Sequence, residues 1–97
     1  MRRLRYARRA RTDVDSIFRY VAADSINAAE RLVDQLEQGC SDLAITSERY
    51  PVVADRPEGQ VRRRPLGQYN IYYTLNVDFV EIVRVLHSAR DQSEMLD

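Results

Sequence analysis

The apolar positions change period twice along the chain. Arg3–Ala7 alternates polar with apolar residues, which predicts a short first strand. From Ala10 the spacing turns helical. Ala10, Val14, Ile17, Phe18 and Val21 fall on one side, so Arg9 to about Ala23 reads as an amphipathic helix. Thr12, Asp13 and Asp15 place acids in or near its first turns, where the helix dipole favours them. Asp24-Ser25-Ile26-Asn27 breaks the pattern, and Asn27 is the expected N-cap of a second helix. Ala29, Leu32, Val33, Leu36, Cys40 and Leu43 make the stripe of that helix, about Ala28 to Ile45. Gly39 within it costs about 1 kcal/mol relative to alanine, and either lets the two helices approach closely or only weakens the helix. The short break makes the helices antiparallel neighbours.

Pro51, Pro57 and Gly59 then mark a loop of about a dozen residues from Ser47. Beyond it the period is that of strands. Gln60–Arg64 is a short basic strand ended by Pro65, which suits a sheet edge. Tyr69–Leu75 is rich in strand formers, Asn76-Val77-Asp78 makes a tight turn, and Phe79–His87 returns as the second arm of a hairpin. Within that arm Ile82-Val83-Arg84-Val85-Leu86 is apolar except at Arg84, as in a central strand covered on both faces. The expected fold is a single α+β domain over residues 1–97, ordered βααβββ, with a helical hairpin packed on a small antiparallel sheet.

At 97 residues, 44% apolar and 31% charged, the composition is that of an ordinary soluble domain. No apolar run approaches the roughly 20 residues of a membrane span, and the basic start has no hydrophobic stretch behind it, so neither membrane contact nor secretion is expected. Cys40 is the sole cysteine and lacks the company of a metal site, so a reducing cytoplasm is the expected setting and no metal or cofactor is implied. The formal net charge is zero, but it is unevenly spread. Residues 1–12 hold six arginines and no acid, residues 13–58 four arginines and ten acids, and residues 59–97 five of each. All fifteen basic residues are arginine, whose planar fork suits carboxylate and phosphate partners.

The order of elements resembles the ParE/RelE toxins, and residue detail agrees from Leu4 to Asp91. The similar segments are the helix over residues 9–21, Ala28-Ala29-Glu30-Arg31 opening the second helix, the strand with Tyr69, Ile71 and Tyr73, and Ile82-Val83-Arg84-Val85-Leu86-His87 followed by Arg90-Asp91. The resemblance implies a toxin of a type II toxin–antitoxin system, with a ParD-like antitoxin as partner. The ParE branch implies DNA gyrase as the target, poisoned by binding. The RelE branch instead implies a ribosome-dependent messenger-RNA endoribonuclease. That branch commonly has an arginine after the first tyrosine of the penultimate strand, where this chain has Asn70. It also has basic residues after the last strand and an aromatic near the end. Here Ser88 and Ala89 follow His87, and no tyrosine follows Tyr73. The departures favour the ParE branch and no intrinsic catalysis.

Were the chain a nuclease, His87 would be the acid or base, with Arg62, Arg64 and Arg90 on the phosphate. As a binding toxin, its target contacts are expected at Arg62, Arg63, Arg64, Arg84, His87 and Arg90. Alternation sends Arg62 and Arg64 to one face and Arg63 to the other, and the bland reading of the run is an edge protected by charge. Arg84, between apolar pairs, requires a carboxylate partner if buried, and a structural ion pair is the favoured reading. Ile17, Tyr20, Val21, Leu32 and Leu36 border an outer groove of the helical hairpin, which suits an antitoxin's amphipathic helix. Arg62 and Arg64 are expected to meet its acidic tail along the strand edge. The basic Arg2 to Arg11 segment admits a nucleic-acid reading, but direct nucleic-acid binding by the chain alone is not expected.

Overall fold

The computed structural model describes residues 1–57 and 59–89. Strand β1 (Arg3–Tyr6) leads into helix α1 (Arg8–Ala22) and helix α2 (Ile26–Thr46). A single 3-10 turn at Ser47–Arg49 precedes four strands: β2 (Val52–Arg56), β3 (Gly59–Leu66), β4 (Tyr69–Leu75) and β5 (Phe79–His87). The sheet order is β1-β5-β4-β3-β2. β1 runs parallel to β5 and the other neighbours are antiparallel, so the sheet is mixed.

Several local readings change. The segment after Ser47 is not one loop, because Val52–Arg56 pairs with β3. Pro51 stands just before that strand, where its missing N–H costs nothing. Gly59, at φ 137°, takes up the return in a conformation that side chains resist. It follows that Gln60–Arg64 is no edge, since β3 lies between β2 and β4. Pro65 is tolerated inside β3 for a geometric reason. The Arg63 N–H reaches out to the Pro51 carbonyl at 3.1 Å, and the nitrogen two residues on points the same way, past the end of β2. Lastly, Ser25 rather than Asn27 caps α2, its hydroxyl accepting the Ala28 N–H at 3.1 Å. α1 starts one residue early at Arg8, and its first turn carries no acid.

The main core lies between helices and sheet, with Leu36, Cys40 and Leu43 from α2 and Ile71, Tyr73, Val80, Ile82 and Val85 from the sheet. Ile82 and Val85 share that side although three residues apart. A bulge on β5 explains it: Tyr72 faces Arg84 and Tyr73 faces Ile82, leaving Val83 extra. A smaller cluster of Val61, Tyr72 and Leu86 occupies the far face. Gly39 does permit a close approach, but to the sheet. A Cβ there would lie 2.5 Å from Leu66 Cδ2 and 3.3 Å from Ile71 Cδ1.

Candidate functional site

Alternation along β3 puts Arg62 and Arg64 on the helix side, and both guanidinium groups are held by backbone there. Arg62 Nη1 donates to the Tyr50 carbonyl at 2.6 Å and to that of Glu48 at 3.3 Å. Arg64 Nη1 donates to the Gly39 carbonyl at 2.6 Å, sits 3.6 Å from the Asp42 carboxylate and lies over the Tyr50 ring. These arginines fasten α2 and the Ser47–Pro51 connection to the sheet. Arg63 faces the other way, opposite Tyr72.

Arg84 is 7% exposed and forms a two-pronged pair with Asp13 of α1, at 2.7 Å through Nε and 3.0 Å through Nη2. The same carboxylate accepts the Val85 N–H at 2.9 Å. β1 ends at Tyr6, so the edge of β5 beyond Ile82 has no strand beside it, and Asp13 supplies the acceptor there. The structural ion pair expected of Arg84 is thus present.

His87 is exposed at the end of β5. Its ring meets Tyr69 edge-on at 5.3 Å, and Nδ1 accepts the Ala89 N–H at 3.1 Å. Arg90 lies outside the described residues. The proposed target contacts therefore do not converge on one point. Arg62 and Arg64 face the helices, Arg63 the far side, and Arg84 is buried in its pair.

The apolar candidates do converge. One groove of about 840 Å³ between α2 and the β3–β4 turn is lined by Tyr20, Val21, Leu32, Leu36, Leu66 and Tyr69, among others. A second, of about 520 Å³ between α1 and the end of β5, includes Ile17 and Val85. Tyr20, Tyr69 and His87 line both, and Tyr20 is 82% exposed. Burial, and then the neighbouring Tyr20, raise the Tyr69 pKa, so the Tyr69 hydroxyl keeps its proton. Leu66, Gln68 and Tyr69 were missed as groove residues. Gly67, at φ 59° between two strand-like runs, was the available signal of the turn that carries them.

Other buried polar groups are structural. The Tyr73 hydroxyl donates to the Ser47 carbonyl at 2.5 Å, and burial raises its pKa to about 12. Burial pushes the Cys40 thiol up to about 11, so it is no activated nucleophile. Among the described residues no group of three or more His, Cys, Asp or Glu is placed to hold a metal ion.

The family model described as the ParE toxin of type II toxin–antitoxin systems, parDE, matches residues 4–92. No curated protein matches the sequence. Among solved structures, a chain of the chromosomal ParDE toxin–antitoxin system from P. aeruginosa superposes with a TM-score of 0.75 at 20% identity. That likeness covers 90% of this chain and 96% of that one. A chain of the RelBE2 toxin–antitoxin complex from Mycobacterium tuberculosis gives 0.67 at 19% identity, covering 89% and 96%.

Proposed function

The chain belongs to the ParE toxin family of type II toxin–antitoxin systems, and on that premise we propose that it arrests growth by binding DNA gyrase, without chemistry of its own, until a ParD-like antitoxin covers it. The observation that carries the reading is the engagement of two of the described candidate cations, Arg64 and Arg84. Cleaving RNA needs an acid–base pair and free positive charge on the phosphate. Among the described residues, the cation that shares a groove with His87 is Arg64, and its guanidinium is held by the Gly39 carbonyl and Asp42. Arg84 is held by Asp13. Such a site supports recognition better than proton transfer.

The joined grooves around Tyr20, Leu32 and Tyr69 suit an amphipathic antitoxin helix, with Ile17, Val21 and Leu36 completing the walls. A tail strand paired along Gln60–Arg64 is excluded by the interior position of β3. Action on gyrase assigns the protein to the cytoplasm, and no described helix is long and apolar enough to cross a membrane. The test sets purified chain against gyrase on supercoiled plasmid and, in parallel, against translating ribosomes. Inhibited gyrase with intact message is the expected result. Cleaved message with untouched gyrase overturns the reading in favour of the nuclease.

A further inference from the structure

We propose that the sheet face turned away from the helices binds the phosphate backbone of duplex DNA, centred on a cleft where α1, β2 and β5 meet. The cleft, of about 290 Å³, is lined by Arg8, Arg9, Arg56 and Arg84 over a floor of Val61, Thr74 and Val83. Leu4 and Tyr6 pack into the helix-side core, so Arg3 and Arg5 of β1 point to this far face. Arg63, opposite Tyr72, joins them. Asp13 neutralises Arg84, and Glu81, 3.4 Å from Arg5, is the one acid lining the cleft among the described residues. Arg3, Arg8 and Arg9 are exposed and have no carboxylate partner among the described residues. Arg8 and Arg9 stand in the first turn of α1, where the helix dipole disfavours cations and no acid offsets them.

The formal net charge is zero, but folding separates the charges. Asp13, Asp15, Glu30, Asp34, Glu37 and Asp42 outnumber Arg11, Arg19 and Arg31 on the two helices, while Arg8 and Arg9 at the start of α1 line the far-face cleft with Arg56 and Arg84. Guanidinium forks match phosphate oxygens and need no apolar anchor. An acidic peptide that folds on binding does need such anchors, and the apolar grooves lie on the opposite side. Single strands are recognised by stacking on exposed rings. This face withholds its rings: Tyr72 is 2% exposed, and the Arg5 guanidinium lies 4.4 Å over Phe79. Duplex backbone is the occupant left. The contact would add to gyrase binding a grip on the DNA that gyrase holds, but its test omits gyrase, so the two readings fail separately.

The full-length chain, freed of antitoxin, is titrated onto a labelled mixed-sequence duplex at several salt concentrations, with single-stranded RNA and polyglutamate as competitors. Binding should weaken steeply with salt, by about 0.9 in log–log slope per phosphate contact. The double variant Arg8→Ser, Arg9→Ser should bind about tenfold more weakly, with the slope reduced by about two. Arg3→Ser, across the same face, should lower the slope by about one. Arg19→Ser with Arg31→Ser, an equal charge change on the helices, should stay within about twofold of wild type. Circular dichroism verifies each fold. The proposal is overturned by salt-insensitive binding, by equal losses in the helix control and the Arg8/Arg9 variant, or by preferred capture of either competitor.

Discussion

Asp13 carries more of the fold than any other acid among the described residues, because one carboxylate serves the Arg84 guanidinium twice and the Val85 N–H once. Asp13→Ala leaves a buried cation and an open strand edge, and should cost on the order of 3–5 kcal/mol in denaturant unfolding. Asp13→Leu combined with Arg84→Leu should recover much of that loss. If the single and double variants are equally unstable, the pair does not account for the loss. That Arg84 needed a carboxylate was legible in the strand, but the identity of the acid was not. Asp13 lies 71 positions away and looked like a helix-dipole residue of the first turns. His87 shows the converse. It drew attention as the only histidine, yet it is exposed and holds a local turn through Ala89. His87→Ala should arrest growth as wild type does on induction, and loss of toxicity with an intact fold would revive the nuclease reading.

At the scale of elements, both helices and the β4–β5 hairpin were legible from periodicity, because each buries a face set by its own spacing. β2 was not, because Pro51 and Pro57 bracket a short run that becomes a strand only through pairing with β3. That addition also moved Arg62 and Arg64 from a presumed edge into the interior, where they act as fasteners. The groove depends on two elements touching at Gly39 and Leu66. Gly39→Ala gains about 1 kcal/mol of helix propensity but pushes Leu66 outward, at a cost of about 1–3 kcal/mol for overpacking. Stability should therefore fall only slightly, while a displaced Leu66 narrows the groove. Antitoxin dissociation should quicken by roughly tenfold in a surface-binding assay, with association little changed. Tyr20→Ala, at an exposed position, should leave stability within about 0.5 kcal/mol of wild type. It should still weaken antitoxin binding by about 2 kcal/mol, as a central aromatic anchor does. Unaltered dissociation in both variants would place the antitoxin elsewhere.

For the molecule as a whole, the uneven run of charge was visible in the sequence, but its direction in space was not, since the sidedness of β2, β3 and β5 depends on pairing and on a bulge. Alkaline stability is also a property of the assembled core. Cys40 and Tyr73 are held protonated by burial, from ordinary values of 9.0 and 10.0 up to about 11 and about 12. The native state keeps protons that the unfolded chain releases, so their stabilisation is intact below pH 9.0 and fades as pH rises through about 12. Unfolding followed by circular dichroism across that window should show the decline, and Tyr73→Phe should flatten its upper part. No flattening would mean that Tyr73 does not contribute. Last, β1 joins the sheet only by lying parallel to β5, Arg3 beside Phe79 and Tyr6 beside Ile82. β1 thus waits for β5, and the Asp13–Arg84 pair closes across the same long interval. A nascent chain can form its helical hairpin early while its sheet stays open. Translation broken off before β5 leaves β1 without the strand it pairs with, whereas the helical walls of the groove proposed for the antitoxin are already made.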